Sequence, residues 1–393
     1  MKRTTILFVL LFAFSGVFAQ KGKVTSALSY KESGKLDKAV EAIEEAIDAN
    51  NPKTESSLTW PRTWEVRGEI YQAVFQSKDE NYKKLNADPL TVAYDSYIKA
   101  LQLDDKGRNV KAMKIKFTLL IGDLTNQAVA AFNEENYEKA LKSFEQIMAI
   151  EQTPAYKADE PNTVDTVIMF NAGLAAYNAK SYDKAVEYYK QAAKYKYNGA
   201  KTISLIANSY LQKKDTVSAL NALQDGLKEY ADNGALLVDI INTYLNANKV
   251  NDAMKYLEIA ISQDPKNASY YFARGTLYDK LQKTEEAAES YLKAIEFKED
   301  YFDAYYNLGA LYYNKGVKQV DVANTIPSSQ PDKYEEEKNK ADIEFKKAIP
   351  YMEKAHQINP TDKYTLESLK TLYYRLKMMD KHAEIVEKMK NIQ

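Results

Sequence analysis

The 393-residue sequence has no cysteine, two histidines, 13 glycines and 10 prolines. Lack of cysteine excludes disulfides, thiolate nucleophiles and thiolate-bound metals, so stability has to come from packing. Few glycines and prolines mean few enforced breaks, the composition of a long helical body. Beyond the first nineteen residues no run approaches the roughly 20 apolar residues of a membrane span. Neither charge sign dominates: 54 Lys+Arg face 55 Asp+Glu, a net charge of −1. That balance gives no electrostatic case for nucleic acid or for an anionic membrane. HExxH, GxxxxGK[ST], GxSxG and GxGxxG are all missing, so the familiar metal, phosphate and nucleophile sites have no local signature. His356 and His382 read as structural or surface residues, and the many carboxylates as solvated helix faces. No cofactor, metal site or catalytic residue is expected.

Residues 1–19 differ from the rest. MKR supplies a positive start, ILFVLLFAF an apolar stretch too short to span, and Val17-Phe18-Ala19 a plausible cleavage site. They predict a signal peptide cut before Gln20, with no cysteine there to accept a lipid. The mature chain is expected to be soluble and exported, periplasmic or secreted. Losing Lys2 and Arg3 leaves 52 basic against 55 acidic residues, a mature charge of −3.

What the chain has in place of motifs is an internal repeat. From Thr166 a pattern restarts every 34 residues at Ala200, Gly234, Ala268 and Phe302. Ala185, Ala219, Ala253 and Ala287 hold its twentieth position, and Tyr210, Tyr244, Tyr278 and Tyr312 its eleventh. The register extends upstream through Ala27, Tyr30, Ala39 and Ala46, then Trp64, Gly68, Tyr71, Ala93 and Ala100, then Ala128, Tyr137, Ala140 and Phe144; downstream it continues through Leu366, Leu369 and Tyr373. About nine helical hairpins follow. The small eighth-position residue is expected to face the small twentieth across each hairpin. The aromatics Tyr97, Phe144, Tyr189 and Tyr291 at the twenty-fourth are expected to fill the space between neighbours.

These residues resemble the tetratricopeptide repeat family over nearly all of the mature chain. The run FNAGLAAYNAKSYDKAVEYYKQAA, from Phe170 to Ala193, carries the resemblance best, and WEVRGEIY from Trp64 keeps the family's tryptophan. It implies an all-α, right-handed superhelical solenoid whose first helices line a groove for peptides or partner proteins. Expected boundaries are less regular hairpins over 20–165 with a lengthened inner turn at 72–92, four contiguous repeats over 166–301, an interrupted repeat over 302–362 and a capping hairpin over 363–393.

In the family, positions two, five, nine, twelve and thirteen of each first helix tend to face ligand. The Lys and Asn set by which some members hold acidic C-termini is missing here. A row of amides takes its place, Asn178, Gln212, Asn246 and Asn314 at the thirteenth position and Asn208 and Asn242 at the ninth, with Phe272, Tyr306, Tyr313 and Tyr374 nearby. Amides both donate to and accept from a peptide backbone, and flat rings bury apolar anchors, which suits an extended, largely uncharged polypeptide. An alternative ligand for the tyrosines is glycan, bound or processed with dispersed carboxylates. Self-association through the solenoid ends is a further possibility.

The interrupted repeat carries 27 extra residues, since Tyr312 and Ala348 stand 36 apart where the period gives nine. Residues 316–331 are expected to form a flexible loop and 332–349 an early-starting second helix, bent at Pro350. The extra helix reads either as a docking arm built on Ile326, Tyr334 and Phe345, or as an arm packed on its own first helix.

Overall fold

The computed structural model describes residues 20–157, 164–231 and 233–390; the leader reading therefore falls outside the described residues. The described chain is α-helical, with no strand assigned. It divides into two compact units, residues 1–215 and 216–393.

The first unit holds α1 (residues 20–32), α2 (Leu36–Ala46), α3 (Pro61–Gln76), α4 (Pro89–Gln102), α5 (Val110–Asn133), α6 (Tyr137–Glu151), α7 (Thr166–Asn178), α8 (Tyr182–Lys194) and α9 (Ala200–Gln212). The second holds α10 (Thr216–Glu229), α11 (Gly234–Asn246), α12 (Val250–Gln263), α13 (Ala268–Lys280), α14 (Thr284–Phe297), α15 (Phe302–Asn324), α16 (Pro331–Ile358), α17 (Lys363–Arg375) and α18 (Met379–Lys390). First helices α7, α9, α11, α13 and α15 thus begin where the 34-residue period restarts.

Local chemistry sets these boundaries. Asp165, Asn233 and Asp362 accept hydrogen bonds from backbone N–H groups of the first turns of α7, α11 and α17, satisfying donors that a helix start leaves free. Pro61, Pro89 and Pro331 open α3, α4 and α16, where a missing N–H costs nothing. First helices stop alike: the fifteenth-position residues Gly34, Glu135, Lys180, Lys214, Asn248, Gln282 and Lys377 all have φ between 56° and 75°. The next N–H then bonds back to the eleventh-position carbonyl, as in Ser181 to Ala176, Lys249 to Tyr244 and Lys283 to Tyr278. This left-handed closure returns the chain as the second helix.

Packing across the hairpin brings a third position close to the eighth. A Cβ built on Gly173 lies 2.6 Å from the Tyr189 ring, on Gly275 2.6 Å from Tyr291, and on Gly68 2.3 Å from Tyr97. The twenty-fourth-position tyrosine therefore rests on the eighth-position glycine of its own hairpin, and only a bare Cα leaves room for the ring. Tyr97 also meets Phe117 of α5 edge-on at 6.2 Å, so it does reach a neighbouring hairpin.

Two expected irregularities need correction. The lengthened inner turn spans 77–88 and includes a short helix, Glu80–Lys83, because α3 continues to Gln76 and α4 starts at Pro89. The loop at 316–331 is helix as far as Asn324, leaving only 325–330 between α15 and α16. Gly316 occupies the fifteenth position, where a left-handed turn would end the helix. Instead it stays helical, since a Cβ there would sit 2.7 Å from the Phe345 ring. Seven residues earlier Gly309 faces Met352, seven residues after Phe345. The insertion therefore repeats the hairpin's own packing one heptad further out. α16 runs through Pro350 as one assigned helix of 28 residues.

Candidate interaction surfaces

In the first unit α1, α3 and α5 are joined by a half-buried ion network centred on Glu69. Its carboxylate pairs with Lys31 at 2.7 Å, Lys116 at 2.6 Å and Arg62 at 3.3 Å, while Glu65 pairs with Arg62 and Lys116 at 2.8 and 3.1 Å. Burial works to raise the Glu69 carboxyl, but hydrogen bonds and charge from Lys116 and Lys31 outweigh it and hold it below the ordinary value. Beside it Asp123 accepts from Gln72 at 2.6 Å and Gln76 at 2.8 Å, and Gln72 accepts from the Tyr97 hydroxyl at 3.0 Å. The cations here are already neutralised by carboxylates, so the network braces α1, α3 and α5 rather than presenting a bare anion clamp.

Further along the same layer the surface turns apolar. A cleft of about 150 Å³ is lined by Val129, Phe132 and Asn133 of α5, Phe144 of α6, and Asn171 and Leu174 of α7. Its volume suits one leucine- or phenylalanine-sized side chain, and its rim carries two amides. Val129, Phe132 and Asn133 are the ninth, twelfth and thirteenth residues of the third hairpin. The sequence reading passed over all of them, although Ala128 at the eighth position carried the register that would locate these three; Asn171, at the sixth, has no such signal.

The amides of the first unit end helices as well as facing solvent. Asn178 and Gln212 are the last residues of α7 and α9, and both are exposed, as is Asn208. Asn178 Nδ2 donates to the Leu174 carbonyl of its own helix at 2.8 Å, which commits that donor to closing the helix.

In the second unit Asn242, Asn246 and Asn314 are exposed. The aromatics divide. Phe272 is half-buried against Tyr291 and Tyr301, with ring centroids 5.8 and 5.1 Å away, and is a packing residue more than a free platform. Tyr306 stacks on Phe302 at 6.1 Å, and Tyr313 tilts against Phe345 at 5.6 Å. Tyr374 is 65% exposed, 5.5 Å from the His382 ring, and Tyr364 of the same helix, which the sequence reading passed over, is 70% exposed.

Within the arm, Phe345 cannot serve as a docking residue as it stands: it is 1% exposed, sealed by Gly316, Tyr313 and the Arg375 guanidinium 4.6 Å above its ring. Its heptad partner on α15 buries it. Ile326 is half-buried, and Tyr334 remains exposed near the tip. The inner half of the arm belongs to one core with Met352, Leu366, Leu369 and Ile385.

His356 sits half-buried between α16 and α18, its Nε2 3.4 Å from Lys388 Nζ. Burial, then Lys388, lowers its pKa below the ordinary value. Among the described residues no group of three or more His, Asp or Glu is placed to hold a metal ion, and no helix is long and apolar enough to cross a membrane.

Comparison with known proteins agrees with this organisation. Tetratricopeptide repeat models match residues 210–274 and, separately, 23–52 and 167–198, and a TPR repeat model matches 277–316. A tetratricopeptide repeat and J domain-containing co-chaperone of Fusarium oxysporum f. sp. lycopersici is 32% identical over 92 residues, 22% of this chain and 18% of the co-chaperone. The chain thus spans under a fifth of that relative. Among solved structures, a TPR repeats protein from Bacteroides fragilis is 25% identical, covering 65% of this chain and 98% of its own, with a TM-score of 0.33. MamA is 22% identical, covering 48% and 94%, with a TM-score of 0.36. YrrB, described as a TPR protein with an unusual peptide-binding site, is 17% identical, covering 48% and 95%, with a TM-score of 0.35. With helices restarting on the 34-residue period, glycine–tyrosine packing inside the hairpins and repeat models matching in both units, the chain belongs to the tetratricopeptide-repeat family.

Proposed function

We propose that this protein is a non-catalytic, exported interaction scaffold that holds a polypeptide segment on the exposed face of its first helices. The observation that carries this reading is the α5–α7 cleft, an apolar hole for one side chain with Asn133 and Asn171 at its rim. Apolar anchoring supplies most of the affinity in such a site, and paired amides satisfy a peptide backbone whatever its side chains. Asn208, Gln212, Asn242, Asn246 and Asn314 offer the same chemistry on other first helices. Export rests on residues 1–19, and the partner is a protein or peptide.

Random-peptide display on the immobilised chain tests the binding. Peptides should be enriched, with one apolar anchor in common, and the double variant Asn133→Ala/Asn171→Ala should bind them at least tenfold more weakly. No enrichment, or enrichment indifferent to that variant, would overturn the reading.

A further inference from the structure

At 24 residues α5 is far longer than α7 and α9, with 13 each, and its exposed face is ordered. Ile115, Leu119, Gly122, Asn126, Val129 and Asn133 follow one another in alternating steps of four and three residues, and all six are exposed. Ile115, Leu119 and Val129 are 66%, 61% and 52% exposed, a strong departure for large apolar side chains. The five steps of this row cover 18 residues, so it keeps the 3.6-residue repeat of one straight helix face. It runs along α5 for about 27 Å at 1.5 Å per residue.

The row fits a helix and not a strand. Its rungs average about 5.4 Å, the same advance that a facing helix makes along one apolar face. An extended chain places same-face side chains about 6.7 Å apart and falls out of step after two or three rungs. The middle of the row is open: a Cβ on Gly122 meets nothing within 4 Å, so another backbone can approach closely there. Val129, near the far end, borders the cleft with Phe132 and Leu174. Charge sets a direction. Arg108 and Lys111, both exposed, lie before the row, and the exposed Glu134 and Glu135 lie after it. An antiparallel helix would bring its negative C-terminal end to the two cations and its positive N-terminal end to the two carboxylates.

We infer that the occupant of this face is a single amphipathic α-helix of a partner protein, about five turns long and antiparallel to α5. Its apolar residues pack on Ile115 and Leu119 and reach the Val129 cleft, with a small residue over Gly122. The inference rests on the scaffold reading above and specifies its ligand as helical, so that the backbone groups left for Asn133 are the free N–H groups of the ligand's first turn.

The test uses the full chain and two labelled synthetic peptides of 21 residues. One is an alanine- and glutamine-based helix with leucine at alternating three- and four-residue steps; the other is the same peptide with two central prolines. The helical peptide should bind saturably and the proline form at least tenfold more weakly. Leu119→Glu should cost at least tenfold. Gly122→Leu should cost as much while its melting temperature stays level or rises, which separates blocked docking from misfolding. Absence of binding, equal binding of the proline peptide, or unchanged affinity in Gly122→Leu would each overturn the inference. If peptide display still yields ligands that depend on Asn133 and Asn171 but not on Gly122, the helix is refuted and the scaffold stands. If neither experiment yields a ligand, both fall.

Discussion

Glycine has two opposite uses in this chain, and the distance from its missing Cβ to the nearest atom tells them apart. At Gly173 and Gly275 a methyl group would land 2.6 Å from a tyrosine ring. Gly173→Ala and Gly275→Ala should each lose about 1–3 kcal/mol through overpacking, measured by urea denaturation. At Gly122 the space is open, so Gly122→Ala should gain about 0.5–1 kcal/mol from helix propensity. Burial acts on single carboxylates too, and Glu151 is one of them. Burial, reinforced by Asp165, pushes its carboxyl up to about 7 from an ordinary 4.5. A carboxyl whose pKa is higher in the folded state takes up protons on folding, so it favours the native state at acid pH and opposes it once pH passes the folded value. Glu151→Gln should therefore change stability little at pH 5 and raise it at pH 8 by on the order of 1 kcal/mol, after allowance for solvent screening of a half-exposed group.

At the scale of helices, the interrupted repeat shows how a solenoid unit is enlarged without being broken. α15 and α16 contain 23 and 28 residues, against 13 and 14 for α13 and α14, and the added turns reuse the glycine-under-large-side-chain contact. The two contacts differ in rigidity. Gly316→Ala should cost about 1–3 kcal/mol because an aromatic ring must move, whereas Gly309→Ala should cost less, since the flexible Met352 can swing aside. Thermal melts of the two variants side by side check the order. Phe345→Ala, which empties a site shared with Arg375 and Tyr313, should cost about 3–5 kcal/mol. A Phe345→Ala protein that melts like the parent would return the arm to the docking reading.

At the scale of the whole molecule, a repeat protein without disulfides holds together by summing near-neighbour contacts. Its individuality lies where the period is violated: the extension of α5, the lengthened turn at 77–88 and the α15–α16 arm. The predicted leader adds one test at this scale. Protein recovered from an exporting host should begin at Gln20, which N-terminal analysis or intact mass will read; a chain retaining Met1 in the exported fraction would count against cleavage.

The sequence by itself determined the all-α fold, because tight hairpins require small residues at fixed spacing and the 34-residue period displays them directly. It also placed a row of amides at the ninth and thirteenth positions, and the structure leaves Asn178, Asn208, Gln212, Asn242, Asn246 and Asn314 exposed there. It could not decide Gly316, since glycine suits both a left-handed turn and a close helix crossing, and only the Phe345 ring on the facing helix selects the second. Nor could it show that Phe345 is sealed or that Ile115, Leu119 and Val129 along α5 are exposed. A row of mixed Ile, Leu, Gly, Asn and Val reads alike whether covered or open, and burial depends on what the rest of the chain brings against it. Those decisions belong to tertiary packing, where neighbours far apart in sequence compete for the same few ångströms.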